Sequence, residues 1–343
     1  MNLSIVDLSP VPEDGSATDA YERTVEFARE AERLGYARFW MAEHHGTADS
    51  IASTTPEVLI AYLAAKTDAI RIGSGAVLLN HYSPYKVAET FSSLDALAPG
   101  RVDLGVGRAN NSPAADRALE TPRHVRHPDR DHREKIEAVA SHLHDAYPGD
   151  HPYSELHLAR SDGDVPELWL LGSSPSSARI AGELGLRYCF AAFIRPELAE
   201  RSFETYRERF EPSSLGAGPD EPVGMLAVNA TCAETDAEAA RLRATAEATY
   251  RRLARGERGR PPSVEAAIDE LGGAPEPTPN PLPDEEWPRA ISGSPETMRE
   301  LLEQLTDRVG VDEVIVQNVI ADHGDVLRSH ELLAEGVGLA PRS

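Results

Sequence analysis

Eight short apolar runs, each followed by a stretch of helical spacing, limit most strongly what this chain can fold into. The first run, 3–8, alternates like a strand, and 18–34 carries Val25, Ala28, Ala31 and Leu34 on one helical face. Further strands are predicted at 37–42, 70–79, 101–106, 167–171, 186–190, 223–230 and 312–317. Helices are predicted between and after them at 56–67, 85–97, 133–146, 176–184, 196–210, 236–253, 295–308 and 325–335. Strand, helix, strand in this rhythm implies parallel pairing through right-handed crossovers. A doubly wound sheet would normally stop at about five to seven strands and show GxGxxG after its first strand. Here Ser9-Pro10-Val11-Pro12 follows instead. The reading is an α/β chain forming one TIM (β/α)8 barrel over 1–343, with two insertions at the C-terminal face of the strands. The first insertion, 109–166, opens with a polar, irregular stretch containing Pro113, Pro122 and Pro128. The second, 254–290, is rich in Pro, Gly and acid and also reads as irregular.

Composition narrows the partners. Lys and Arg number 34 against 57 Asp and Glu, a net charge of −23. Such a surface repels nucleic acid and anionic membranes, so neither is an expected partner. Only Lys66, Lys86 and Lys135 are lysines. An acidic, lysine-poor surface suits a salt-rich, halophilic cytoplasm, where salt screens charge to a Debye length of ~3 Å at 1 M; a merely acidic protein is the plainer alternative. No run approaches the ~18 apolar residues of a membrane span, and no signal peptide opens the chain, which points to the cytoplasm. Cys189 and Cys232 lie far apart with no CxxC pair, as expected of free thiols in a reducing compartment.

Barrels of this kind keep their chemistry at the C-terminal ends of the strands. Glu43-His44-His45, Asn80-His81-Tyr82, Gly107-Arg108 and Gly172-Ser173-Ser174 all end strands and converge on one mouth. His142 and His144 fall in a helix and read as surface residues. The loop 172–177 opens a helix with small residues, which suits a phosphate as well as it suits a plain N-cap. Arg108 supplies a fixed cation and tilts the choice to phosphate. Gly73, Gly75, Gly105 and Gly107 interrupt two strands, either because a flat ring lies against the backbone or because small residues pack a tapering barrel. His44 and His45 invite a metal, but adjacent strand residues point oppositely and the HxH expected after strand one is absent. A catalytic or ring-contacting His44, without metal, is the better reading.

The segments WMAEHHG, IRIGSGAVLLNHYSPYKVAE, PGRVDLGVGRA and LGSSPSSARIAGELGL, with ISGSPETMRELLEQL and GVDEVIVQ near the end, resemble the luciferase-like flavin monooxygenase family. The resemblance covers most of the chain and is weakest in the two insertions. It implies that Ser174 and Ser177 contact the phosphate of FMN, helped by Gly172, Ser173 and Arg108. It implies a non-prolyl cis peptide at Gly75-Ala76 beneath the isoalloxazine, Asn80 and Tyr82 lining the ring pocket, and His44 as the active-site histidine. It also implies a mobile lid over 254–290 and a homodimer formed through early barrel helices. Gly107 stands where the light-emitting α subunit has cysteine, which argues against light emission. The activity implied is a two-component monooxygenase that takes reduced FMN from a separate flavin reductase and uses O2 on an organic substrate. An F420-dependent oxidoreductase remains open, since Arg117, Arg123 and Arg126 could meet that cofactor's acidic tail. So does a catalytically silent flavin-binding protein.

Overall fold

The computed structural model describes residues 1–108, 113–119, 128–161 and 165–342. Its strands are β1 (Asn2–Asp7), β2 (Arg38–Met41), β3 (Arg71–Ser74), β4 (Val77–Leu78), β5 (Val102–Gly107), β6 (Glu167–Gly172), β7 (Arg187–Ala191), β8 (Gly224–Cys232), β9 (Ala290–Gly293) and β10 (Glu313–Gln317). All pair in parallel in the order β10-β1-β2-β3-β5-β6-β7-β8, and β10 pairs back onto β8. That return closes an eight-stranded barrel.

Every expected barrel strand is present. The run predicted over 70–79 divides into β3 and β4 around the Gly75-Ala76 peptide, which is cis. β9 was not expected: it pairs with the outer end of β8, Asn229 opposite Ala290. Residue 290 therefore belongs to a strand rather than to the second insertion. That insertion is also less irregular than its composition suggests. Val264–Leu271 is a helix capped by Ser263, and its Ala267, Ile268 and Leu271 pack on Ala244 and Ala248 of the helix Asp236–Ala254. The first insertion holds a helix at Pro113–Leu119, and the helix expected at 133–146 spans Pro128–Leu143. Pro122, Arg123 and Arg126 lie outside the described residues.

Successive side chains alternate across each strand. Leu3, Ile5, Phe39, Leu104, Leu168 and Phe190 face outward into a continuous layer beneath the helices. Fully burying such a side chain contributes about 1.5–3 kcal/mol. The first helix, Ala17–Leu34, enters this layer through Phe27, Ala28 and Ala31; Ser16 and Asp19 cap its start and Gly35, at φ 88°, ends it.

The other set of side chains fills the barrel in three tiers. At the base, Arg38 donates to Asp103 (2.8 Å), Glu167 (3.0 Å) and Glu313 (3.0 Å). Arg71 and the Trp40 indole also donate to Asp103, at 2.6 and 2.9 Å. Above this plug lie Val6, Trp40, Trp169, Cys189, Ala227 and Ile315. The glycines of β3 and β5 belong to the same packing. A Cβ on Gly105 would stand 2.0 Å from the Ser74 carbonyl oxygen, and one on Gly73 2.6 Å from Asp103 Cβ. Gly75 packs on Trp40 and Val6, and Gly107 on Ala76. The chain itself fills the space at Gly73 and Gly105, while a Cβ at Gly75 or Gly107 would meet its nearest neighbour at 3.2 Å.

His142 is buried, contrary to its reading as a surface residue, among Tyr85, Tyr147 and Tyr153. His144 is half-buried. The segment after the helix folds back across it, with Arg160 donating to the His142 carbonyl at 2.9 Å. A covering segment distant in local pattern cannot be read from helical periodicity.

Candidate active site at the barrel mouth

Glu43 follows β2 and is 4% exposed. One of its carboxylate oxygens lies 2.5 Å from His45 Nε2 and accepts from the Tyr82 hydroxyl at 2.6 Å. The other accepts the Leu78 backbone N–H at 2.8 Å. Glu43 and His45, two residues apart, are joined by the 2.5 Å contact, so the second histidine of the pair has a carboxylate partner. The sequence places Glu43 at the mouth without a role of its own; the signal that finds one is its i, i+2 spacing to His45.

Burial lowers the pKa of His44, and the positive charges of His45 and Arg258 lower it further. A neutral imidazole at neutral pH can accept a proton or a hydrogen bond. Arg258 comes from the second insertion, so that segment bears electrostatically on His44. Burial raises the Tyr82 hydroxyl, and its bond to Glu43 raises it further, so it stays protonated as a donor.

Asn80 and His81 sit on the turn after β4. Asn80 Nδ2 is 3.1 Å from His81 Nε2, and the His81 ring meets the His45 ring edge-on at 6.1 Å. The Lys135 ammonium, buried, holds the carbonyls of Leu79 and Asn80 at 3.1 and 2.9 Å. Lys135 was noted for its rarity and not for this anchoring role. The Asn80 side-chain carbonyl is buried and has no hydrogen-bond donor among the described residues.

Across the mouth, β6 leads through Gly172 and Ser173 into the helix Pro175–Glu183, with Ser174 as N-cap accepting from Ser177 N. The Ser177 hydroxyl donates to the Ser174 carbonyl at 2.7 Å and lies 3.2 Å from the Tyr188 hydroxyl. A Cβ on residue 172 would stand 2.0 Å from that hydroxyl, so Gly172 is what lets the turn close. Both cap and candidate cradle are thus present in one loop. Arg108 is exposed at the end of β5. Val106 pairs with Leu170, and extending that register by two residues sets Arg108 level with Gly172. Ala76, after the cis bond, lies against Gly107. His44, Asn80, Tyr82, Gly75, Ala76 and Arg108, with 172–177, therefore all stand at the same end of the barrel. Among the described residues no group of three His, Cys, Asp or Glu is placed to hold a metal ion.

A closed parallel barrel with a carboxylate–histidine pair, an uncharged histidine and a helix N-terminus around one mouth defines an enzyme of the (β/α)8 class. The chain belongs to the luciferase-like monooxygenases, a family matched over residues 1–313. It is 39% identical over 335 residues to a Bacillus subtilis (strain 168) protein, YceB, covering 98% of this chain and 99% of that one. It is 43% identical over 212 residues to the N-acetyl-S-alkylcysteine monooxygenase of the same bacterium, covering 60% and 63%. The crystal structure of apo-MsnO8 superposes with a TM-score of 0.86 at 41% identity, covering 99% of both chains. The fold alone is shared with the FMN complex of the oxygenating constituent of 3,6-diketocamphane monooxygenase from Pseudomonas putida, at TM-score 0.71, 22% identity and 98% of both chains. It is likewise shared with an F420-dependent secondary alcohol dehydrogenase, at TM-score 0.68, 18% identity and 98% of both chains. Among the described residues no helix is long and apolar enough to cross a membrane.

Proposed function

We propose that this protein is the oxygenating component of a two-component system, taking reduced FMN from a separate flavin reductase and using O2 to oxidise a small organic substrate. The observation that carries the reading is the level placement of Arg108 and Gly172 at a helix N-terminus, on the same mouth as His44 and the unanswered Asn80 carbonyl. A single phosphate suits the first pair, because backbone N–H groups and the helix dipole favour an anion and Arg108 adds charge. A ring bearing an N–H suits the Asn80 carbonyl. Ser173 and Ser174 are the side chains offered to the phosphate, while the Ser177 hydroxyl supports the turn through Ser174.

Reduced FMN would supply the electrons that activate O2. The chain's own part is to hold and shield the site. His44, neutral at pH 7, accepts or returns a proton, and Tyr82 and Glu43 fix the position of His45 beside it. The segment 254–289 acts as the lid, with Arg258 bearing electrostatically on His44 and Arg260 bonded to the carbonyls of Asp49 and Pro12. The relative that oxidises N-acetyl-S-alkylcysteine and the FMN-bound neighbour support FMN and oxygenation. The test is O2 uptake with FMNH2 against reduced F420: uptake dependent on FMNH2 is expected, and turnover with F420 alone would overturn the choice of cofactor. Flavin binding with neither activity would leave a silent binding protein.

Exposed Val58 (64%), Tyr62 (51%) and Leu97 (76%) on the helices Pro56–Ala64 and Pro84–Leu97 support pairing into a homodimer through that face. The charge of −23, with three lysines, supports a salt-rich cytoplasm as the setting.

A further inference from the structure

The middle tier of the barrel gathers oxidisable side chains. The chain has three tryptophans, two cysteines and four methionines. Trp40, Trp169, Cys189 and Met225 stand together in the buried cluster inside the barrel. Such layers are ordinarily filled by Val, Ile and Leu. Glycine makes room for one indole, since a Cβ on Gly73 would stand 2.8 Å from Trp40 Cδ1.

Trp40 lies against the backbone of the mouth: a Cβ on Gly75 would meet its Cβ at 3.2 Å and its Cε3 at 3.3 Å. Its ring centroid is 5.6 Å from that of Trp169. Both indole N–H groups turn to carboxylates of the base. Trp40 donates to Asp103 at 2.9 Å, and Trp169 Nε1 lies 3.4 Å from Glu167. The two carboxylates differ in access. Asp103 is sealed between Arg38 and Arg71, whereas the Glu167 side chain is 27% exposed. The Arg38 guanidinium also stands 5.1 Å from the centre of the Trp169 ring.

Indole gives up one electron readily, and a carboxylate on its N–H eases the loss by stabilising the positive charge that develops. The oxidised indole is a far stronger acid than its parent. On Trp40 that proton faces a sealed carboxylate. On Trp169 it faces one open to solvent, and Arg38 over the ring favours its departure. We propose that Trp40 and Trp169 form an electron relay that draws one-electron oxidising equivalents from the mouth and discharges them at the base. An organic peroxyl radical left at the mouth takes an electron from Trp40 and a proton from solvent, and becomes a hydroperoxide. Trp169 refills Trp40 and loses its indole proton to Glu167. A soluble thiol at the base then gives back one electron and, through Glu167, one proton. The sum is a peroxyl radical and a thiol converted to a hydroperoxide and a thiyl radical. The inference rests on the proposed flavin site for the source of the oxidant, but its test uses light and not turnover.

Oxidised FMN is bound to the whole protein, its affinity is measured by calorimetry, and a flash makes the flavin the one-electron oxidant. Trp40→Phe should lengthen the fluorescence lifetime of bound FMN several-fold. Trp169→Phe should keep the quenching but shorten the life of the tryptophan radical in transient absorption, because the electron returns directly to Trp40. Glu167→Gln should delay the change from the cation to the neutral radical spectrum. Trp287→Phe, whose indole lies outside the barrel on Glu200, should alter none of these readings. Tm reports whether each variant is folded. An unchanged flavin lifetime in Trp40→Phe, or an unchanged radical lifetime in Trp169→Phe, would overturn the relay and leave the pair as packing. Failure of FMN to bind would count against the flavin reading, and the same flash is then made with oxidised F420. A protein that binds neither overturns both.

Discussion

At the base of the barrel Arg38, Arg71, Asp103, Glu167 and Glu313 answer one another's charges, and Asp103, fully buried, is held by three donors. At the mouth, the buried Asn80 side-chain carbonyl has no donor among the described residues. At the base the polar groups are matched within the protein; at the mouth an acceptor is left open, as the proposed ligand site requires. Closure of the ladder lets one molecule carry both ends, because the apolar middle around Trp40 and Trp169, with rings 5.6 Å apart, separates them.

The strongest way to break this contrast is at the base. Asp103→Ala strips Arg38 and Arg71 of a buried counter-charge and should cost about 3–5 kcal/mol of stability in denaturant titrations. FMN affinity of the folded fraction should be unchanged; a fall in affinity equal to the fall in stability would mean that base and mouth are not separate. Gly105→Ala tests the middle tier. Its Cβ would meet the Ser74 carbonyl, and the apoprotein should lose about 1–3 kcal/mol. Unaltered stability of the apoprotein with loss of flavin binding would instead restore a ring-accommodating role for these glycines.

At the mouth the expected effects pass from stability to binding. Arg108→Ala should weaken FMN about tenfold, roughly 1.4 kcal/mol, in fluorescence titration, with Tm unchanged. Equal affinity would separate Arg108 from the phosphate. The mildest contrast is in pH. The lowered pKa of His44 means that the unfolded chain takes up its proton first, near 6.5, so the stability this residue contributes declines as pH falls from there towards the folded value. Turnover should decline over the same acid range, with a midpoint under 6.5, and be flat above it. Burial alone would raise Glu167, but Arg38, Arg71 and Arg187 outweigh it and hold its pKa below 4.5. Its contribution is present above that value and fades only as pH falls through the lowered one. The mouth should thus lose function in acid before the base loosens, which activity and Tm measured over one pH series would check.

Much of this organisation was legible from sequence. Alternation and helical spacing marked all eight barrel strands, because each is imposed by contacts within a few residues. The rule that strand ends carry chemistry gathered His44, Asn80, Tyr82, Arg108 and the 172–177 loop onto one end, where the structure has them. What stayed hidden were pairings formed only when distant segments meet. The bond of Arg38 to Glu313 joins residues 275 apart, and β9 exists only as a ladder on the outer end of β8. The burial of His142 depends on a later segment crossing its helix. The four glycines carried two readings in sequence, and the close approach of Asp103 to Gly73 and of Ser74 to Gly105 is visible only in the folded barrel. Local periodicity fixed where the strands and helices would fall; closure of the barrel decided which polar groups would find partners within the chain.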